Sequence, residues 1–162
     1  THLMRADPQL ETNRLVLRRW RPEDKEPFAQ LNADPKVMRY FVQPMTASES
    51  DEFVDRIEAH FDRTGFGFWA VELRDSGDFV GFVGLAAPSF PAHFMPCVEI
   101  GWRLATPFWN QGYATEGAQA ALTFGFDALN LQEIVAFTTV ANVPSRRVME
   151  KLGMTHDPAD DF

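Results

Sequence analysis

The alternation of apolar and polar residues along the chain predicts a series of strands. Segment 14–20, RLVLRRW, alternates apolar and basic residues and predicts a first strand. The apolar runs 66–73 and 79–85 are separated by RDSGD, whose Gly and Asp favour a turn, so together they predict a hairpin. Segments 98–104 and 133–140 predict two further strands, the second of them buried.

Between these predicted strands, apolar residues recur at helical spacing and predict helices. Segments 21–32 and 34–41 predict short helices, and segment 46–61 predicts a firmer one with Thr46 and Glu49 at capping-box spacing. A later amphipathic helix is indicated by four apolar residues at helical spacing, namely Ala118, Leu122, Phe126 and Leu129. A last helix begins near Pro144 and ends before Gly153. This order predicts an α/β (α+β) sandwich with a mixed sheet.

Composition narrows the class of protein. A chain of 162 residues with 45% hydrophobic residues is expected to form one domain over residues 1–162, with 1–9 as a tag remnant or a disordered start. Its longest apolar runs fall short of the ~20 residues of a membrane-spanning helix. The single cysteine, Cys97, fits a reducing cytoplasm. The net charge of −8 argues against general nucleic-acid binding and mildly favours an amine substrate.

The segment FWNQGYATEGAQAAL, residues 108–122, joins an apolar strand to an alanine-rich helix through Gly112 and Ala114. Small residues at a helix N-terminus let an anion approach unpaired backbone N–H groups, and the helix dipole favours negative charge there. They also relieve crowding, and this segment alone leaves both interpretations open. The histidines lack metal-ligand spacing, so we expect no metal; they are His2, His60, His93 and His156.

Several motifs taken together resemble a known family. WNQGYATEGAQAAL, followed after one strand by NVPSRRVMEKLGM, resembles the two acyl-CoA-binding motifs of the GNAT superfamily of N-acetyltransferases. LETNRLVLRRWRPED with DPKVMRYF is similar to the N-terminal part of its RimJ/RimL-like branch. The resemblance spans Leu10 to Gly153 and implies a GNAT fold, with a mostly antiparallel central sheet, flanking helices and splayed strands that form the acyl-CoA cleft. It also implies acetyl-CoA as acyl donor and an amine as acceptor.

The resemblance assigns a set of residues to acetyl-CoA. Those that line the pyrophosphate loop are Gln111, Gly112, Tyr113, Ala114 and Thr115. Backbone groups from Trp102 to Leu104 are expected to pair with the pantetheine arm, and Asn142 to bond the pantetheine or to hold the strands apart. Arg103 and Arg146 are expected either to contact the CoA phosphates or to be solvated charges.

The reaction implied is direct acetyl transfer in a ternary complex, without a protein nucleophile. Glu99 is the candidate general base, acting through water, and an outward polar strand residue is the alternative. The backbone N–H near Leu104 is the candidate oxyanion donor. Ser145 is the nearest hydroxyl to the leaving thiolate, and a first-turn helix cap is its alternative role. Met149 stands where many members carry a proton-donating Tyr, and a thioether donates no proton.

The residues leave several functional alternatives open. The acceptor is a protein N-terminal amine or a small-molecule amine such as a polyamine or an aminoglycoside. Because the usual Tyr is replaced by Met149, a non-catalytic acyl-CoA sensor with the same fold is a further alternative. Family members usually add a last strand after KLGM, and this sequence shows none. An open sheet edge would invite pairing with another chain, for example in a homodimer.

Overall fold

The computed structural model describes residues 9–41, 43–87, 98–131, 134–136 and 143–154. Its strands are β1 (Leu10–Glu11), β2 (Leu15–Arg18), β3 (Phe68–Leu73), β4 (Phe79–Ala86), β5 (Glu99–Leu104) and β6 (Val135–Ala136). Its helices are α1 (Lys25–Ala33), α2 (Ala47–Thr64), α3 (Tyr113–Thr123) and α4 (Val143–Lys151). Among these residues, no helix combines the length and the apolar character needed to cross a bilayer.

The strands form one sheet in the order β1-β2-β3-β4-β5-β6. Neighbouring strands from β1 to β5 are antiparallel to each other, whereas β6 is parallel to β5. A parallel pair requires a crossover, and α3 lies in that connection. The prediction of a mixed, mostly antiparallel sheet with helices on its faces is therefore confirmed.

The two faces of the sheet are covered by different helices. On one face Phe28 of α1 makes a ring contact with Phe82 of β4, at 6.0 Å between centroids. On the other face α3 lies so close to β4 that a Cβ built at Gly117 would be 3.2 Å from the side chain of Val83. Because side chains alternate along a strand, the even-numbered β4 residues from Phe82 to Ala86 face α1 and α2, and the odd-numbered residues from Gly81 to Leu85 face α3.

Local signals explain most element boundaries. The predicted capping box is confirmed: the Glu49 N–H donates to Thr46 Oγ1 over 3.1 Å, and the Thr46 N–H donates to Glu49 Oε1 over 2.8 Å. Helix α4 ends as predicted, with Gly153 at φ +80° and the Met154 N–H donating to the Met149 carbonyl over 3.0 Å. Of the predicted strand 133–140, Val135 and Ala136 form β6, and 137–140 lie outside the described residues.

The helix predicted over residues 34–41 is wrong, because this segment forms consecutive turns. Asp34 is extended, at φ −76° and ψ 117°, as expected for a residue that precedes proline. Its Oδ1 accepts the Lys36 N–H over 2.9 Å, which stabilises a turn in place of a helix.

The amphipathic pattern predicted for the third helix breaks after Leu122. Residues Phe124–Ala128 form a π-helical turn, in which the Leu129 N–H donates to the Phe124 carbonyl over 3.2 Å. The wider turn shifts the helical phase. Consequently Gly125 takes the buried position, and Phe126, predicted to be inside, is 42% exposed.

Candidate active site

The loop between β5 and α3 has the geometry of an anion site. Gly112 caps the N-terminus of α3 at φ +83°, and Asn110 is also left-handed at φ 61°. The first helical hydrogen bond runs from the Glu116 N–H to the Gly112 carbonyl, 2.9 Å away. The N–H groups of Tyr113, Ala114 and Thr115 precede that bond, so helix geometry directs them out of the N-terminus, where a phosphate would meet them.

Side chains of the same loop hold its shape from within. Trp109 Nε1 donates to the Leu104 carbonyl over 2.8 Å, and Gln111 Nε2 donates to the Pro107 carbonyl over 2.8 Å. The Gln111 side chain is therefore engaged inside the loop, and its contribution to an anion would come from its backbone. Gly112 suits the loop because its backbone is left-handed, at φ +83°, a conformation that residues with a Cβ rarely adopt.

Arg14, which the sequence analysis did not single out, ties this loop to the β1–β2 turn. Its Nη1 donates to the Gln111 carbonyl over 2.9 Å, and its Nε lies 2.7 Å from Glu116 Oε1. Its guanidinium carbon lies 4.2 Å from the centre of the Tyr113 ring. These partners are about a hundred residues away along the chain, at separations of 97 and 102, so no local pattern could have revealed them.

Glu116 completes this connection. Besides Arg14 Nε, it accepts the Arg14 backbone N–H over 3.0 Å and the hydroxyl of Thr12. Burial by itself raises the pKa of Glu116, but the hydrogen bonds from Thr12 and Arg14 outweigh that effect and hold the pKa below its usual value. Glu116 therefore stays ionised near neutral pH and keeps Arg14 against the loop.

An open groove of about 920 Å³ continues from the loop along α3. Gly112, Thr115 and Glu116 line one end, and Lys151 of α4 contributes to its lining. The predicted loop residues Gly112 and Thr115 thus border a space that is large enough for part of an extended ligand.

On the β6 side of β5, two residues direct their backbone groups away from β4. β5 pairs with β4 along its whole length, but its described pairing with β6 ends at Ile100 and Ala136. The Ala105 N–H donates toward β4, to the Val80 carbonyl, over 2.9 Å. By alternation the backbone groups of Trp102 and Leu104 point toward the β6 side, beyond the last described pair. This is the edge at which pantetheine pairing and an oxyanion donor were predicted.

Glu99 is the first residue of β5, between Ala86 of β4 and Val135 of β6. It is partly buried, and this burial raises the pKa of its carboxyl to about 7. A carboxylate with such a pKa is matched to proton abstraction near neutral pH.

The position of Arg103 corrects its predicted contact with the CoA phosphates. Its Nη1 donates to Asn32 Oδ1 of α1 over 2.8 Å, and its guanidinium lies over the ring of Phe82 at 5.3 Å. Phe82 faces α1 and α2, whereas α3 covers the opposite face, so Arg103 points away from the phosphate loop. Alternation along β5 puts it on the face that carries Glu99.

Helix α4 carries the candidates from the second motif. Ser145 and Met149 are both partly buried and lie one turn apart, and Arg146 is exposed. Asn142 lies outside the described residues. Across the described part of the chain, no group of three or more His, Cys, Asp or Glu is arranged to hold a metal ion.

Comparison with known proteins agrees with this geometry. The family model for the acetyltransferase (GNAT) domain matches residues 14–155. The FsC-acetyl coenzyme A-N(2)-transacetylase of Aspergillus fumigatus is 34% identical, over 94% of this chain and 67% of its own length. A GNAT-family acetyltransferase structure from Bacillus anthracis is 31% identical, covers 91% of this chain and 84% of its own, and has a TM-score of 0.78. An acetyltransferase structure from Agrobacterium tumefaciens is 28% identical, covers 94% and 86%, and has a TM-score of 0.84.

Proposed function

Because this chain belongs to the GNAT acetyltransferase family and is an N-acetyltransferase, we propose that it transfers an acetyl group from acetyl-CoA directly to a primary amine, with Glu99 as general base. The observation that carries this proposal is one strand, β5, which brings together a carboxylate of raised pKa and backbone groups, at Trp102 and Leu104, that point away from β4. The anion-binding loop follows directly after that strand.

The fit of acetyl-CoA to this chain rests on the backbone. The N–H groups of Tyr113, Ala114 and Thr115 at the N-terminus of α3 would hold the pyrophosphate, with the helix dipole favouring its charge. The backbone of Trp102 would pair with the pantetheine amides, since the Leu104 carbonyl already accepts the Trp109 indole N–H. Bound there, acetyl-CoA supplies an activated acetyl group as a thioester.

The residues of the chain then serve three steps of the reaction. Glu99, through a water molecule, takes a proton from the ammonium, and the freed nitrogen lone pair forms the new C–N bond. The Leu104 N–H stabilises the negative charge that develops on the carbonyl oxygen. As the C–S bond breaks, the electron pair stays on sulfur, and the Ser145 hydroxyl donates a hydrogen bond to that thiolate in place of the absent Tyr. The excess proton on the nitrogen then passes to the thiolate, which gives the amide and the free thiol.

We place the chain in the RimJ/RimL-like branch of the family on the basis of its N-terminal motif. That motif contains Arg14, which fastens the phosphate loop through Gln111 and Glu116. The acceptor is a protein N-terminal amine or a small-molecule amine.

A thiol-release assay tests the proposed reaction. Purified protein with acetyl-CoA should release free thiol faster when supplied with amines from a panel of N-terminal peptides, polyamines and aminoglycosides. Mass spectrometry should show an acetyl group on the consumed amine. Tight CoA binding without amine-dependent thiol release from any member of the panel would contradict the proposal and favour a sensor.

A further inference from the structure

Arg103 and Glu99 lie at opposite ends of one face of β5. They are four residues apart, which is roughly 13 Å between Cα atoms at ~3.3 Å per residue. Gly101 lies between them without a side chain, and the space that a Cβ would take is bordered by the Phe68 ring, 3.1 Å away. Along this face, the carboxyl of Glu99 is followed by the Phe68 ring beside Gly101 and then by the guanidinium of Arg103.

The Arg103 guanidinium has a neutral partner and aromatic neighbours. Asn32 Oδ1 accepts one of its hydrogen bonds, and Asn32 is itself fully buried, with its Nδ2 donating to Ser50 Oγ over 2.9 Å. The rings of Phe41 and Phe53 lie 4.6 Å and 5.5 Å from the guanidinium carbon. Phe41 is 50% exposed, so this cluster reaches the surface.

Arg103 lacks a carboxylate partner among the described residues. Residues 88–97, which precede β5, and 137–142, which continue from β6, contain no Asp or Glu in the sequence. Arg18 shows the ordinary arrangement in this protein: it is 5% exposed and bonded to the carboxylates of Asp24 and Glu72. Burial without such a partner lowers the pKa of Arg103 to about 10, so its charge is held at a cost.

We infer that the amine acceptor also carries a carboxylate, which Arg103 binds while the amine lies near Glu99. Arginine has five N–H donors in a planar fork that matches a carboxylate, and Asn32 accepts one hydrogen bond from this fork. The Phe68 ring would contact the apolar part of the acceptor. A peptide with a terminal or side-chain carboxylate has this chemistry, whereas the amine and carboxylate of a free α-amino acid are joined through a single carbon and are too close to reach both residues. The inference rests on the proposed function and adds the substrate class.

Matched acid and amide acceptors test this inference. The pairs are the dipeptide Ser-Leu with its C-terminal amide, and Ser-Glu-amide with Ser-Gln-amide. In at least one pair, the acid should have a kcat/KM at least about tenfold higher than its amide, the scale expected for hydrogen bonds to a charged group. Arg103→Met should reduce this ratio to within about twofold, and Arg103→Lys should retain part of it.

Arg56→Met is the matched control, because Arg56 also lies over the Phe53 ring, at 5.6 Å, but is exposed. It should leave the acid-to-amide ratio unchanged. The ratio is measured within each variant, so a partly unfolded preparation does not alter it. Equal rates for acid and amide in every pair with the unmodified protein, or a preference that survives Arg103→Met, would overturn the inference.

A binding measurement separates this inference from the proposed reaction. Calorimetry on the CoA complex compares the N-acetyl forms of each acid and amide. Tighter binding of the acid, lost in Arg103→Met, supports the inference even if no amine is acetylated. Equal binding overturns it even if acetylation is fast.

Discussion

We propose that the two sides of β5 recognise ligands in different ways. On the side of α3, the phosphate loop offers backbone N–H groups, and its side chains, including those of Trp109 and Gln111, are used to hold the loop. On the side of α1 and α2, the surface offers the side chains of Glu99 and Arg103. The first arrangement suits a cosubstrate with a constant phosphate group, and the second suits an acceptor that differs between relatives.

This difference has a consequence for substitutions. A backbone site is lost only when the chain cannot adopt its shape, whereas a side-chain site is lost when one group is removed. Changes in the phosphate loop should therefore act on CoA affinity, and changes on the opposite side of β5 should act on turnover and acceptor choice.

The largest effect is expected from Glu99→Gln. Loss of a general base lowers turnover by about 10²–10⁴-fold, with little change in acetyl-CoA affinity because the carboxyl lies away from the phosphate loop. In the unmodified protein, kcat/KM should rise with pH through an apparent pKa of about 7, since only the ionised carboxylate accepts a proton. This rise should disappear in the variant. A variant that keeps more than about half of the activity would exclude Glu99 as the base.

The Glu99 carboxyl also affects the pH dependence of stability, with a sign opposite to that of an acid whose pKa is lowered on folding, such as Glu116. Its pKa is raised in the folded state from 4.5 to about 7, so the folded protein binds the proton more tightly than the unfolded chain. Its contribution to the free energy of unfolding is therefore present below pH ~4.5 and falls as pH rises toward ~7. Glu99→Gln should flatten this part of the pH dependence of the melting temperature.

Gly112→Glu should weaken CoA binding by about 100-fold or more, because a left-handed glycine is replaced and a carboxylate is placed where the pyrophosphate binds. Gly77→Glu is the matched control. Gly77 lies between β3 and β4 at φ +79°, with no atom within 4 Å of a built Cβ, so it carries the same backbone strain and charge away from the loop. Calorimetric CoA affinity that falls equally in both variants would refute the loop assignment.

Ser145→Ala should slow turnover by about tenfold to a hundredfold and leave acetyl-CoA affinity nearly unchanged. Met149→Tyr on that background should restore part of the rate, because a phenol can donate to the thiolate. Ser48→Ala, in the first turn of α2, is the control for a helix-terminal serine. A lower melting temperature with normal turnover per folded molecule would assign Ser145 to helix capping alone.

The smallest effect is expected from Arg14→Gln. Loss of its bonds to Gln111 and Glu116 should raise the KM for acetyl-CoA by about three- to tenfold, the scale of one or two exposed charged hydrogen bonds, and leave kcat nearly constant. Arg74→Gln is the control, since Arg74 Nη1 donates to the Thr12 carbonyl of the same turn over 2.8 Å without contacting the loop. A double-mutant cycle with Glu116→Gln that gives additive effects would show that Arg14 and Glu116 do not act together.

Much of the fold could be predicted from the sequence because its signals are local. The capping box at Thr46 and Glu49 and the glycine end of α4 depend on residues within one turn of each other. The segment 34–41 and the position of Phe126 were mispredicted for an equally local reason, because an Asx turn before Lys36 and a π-helical turn override the average periodicity.

The sequence by itself determined most of the elements, the glycine at the N-terminus of α3 and the family motif that marks the phosphate loop. These features lie within short segments whose backbone preferences are set by neighbouring residues. Tertiary structure alone decided that Arg14 holds this loop, that Arg103 lies on the face opposite α3, and that Glu99 is buried enough to raise its pKa. The reason is physical: a contact, a burial and a pKa depend on groups that meet only after the sheet has formed, and no local spacing encodes those distances.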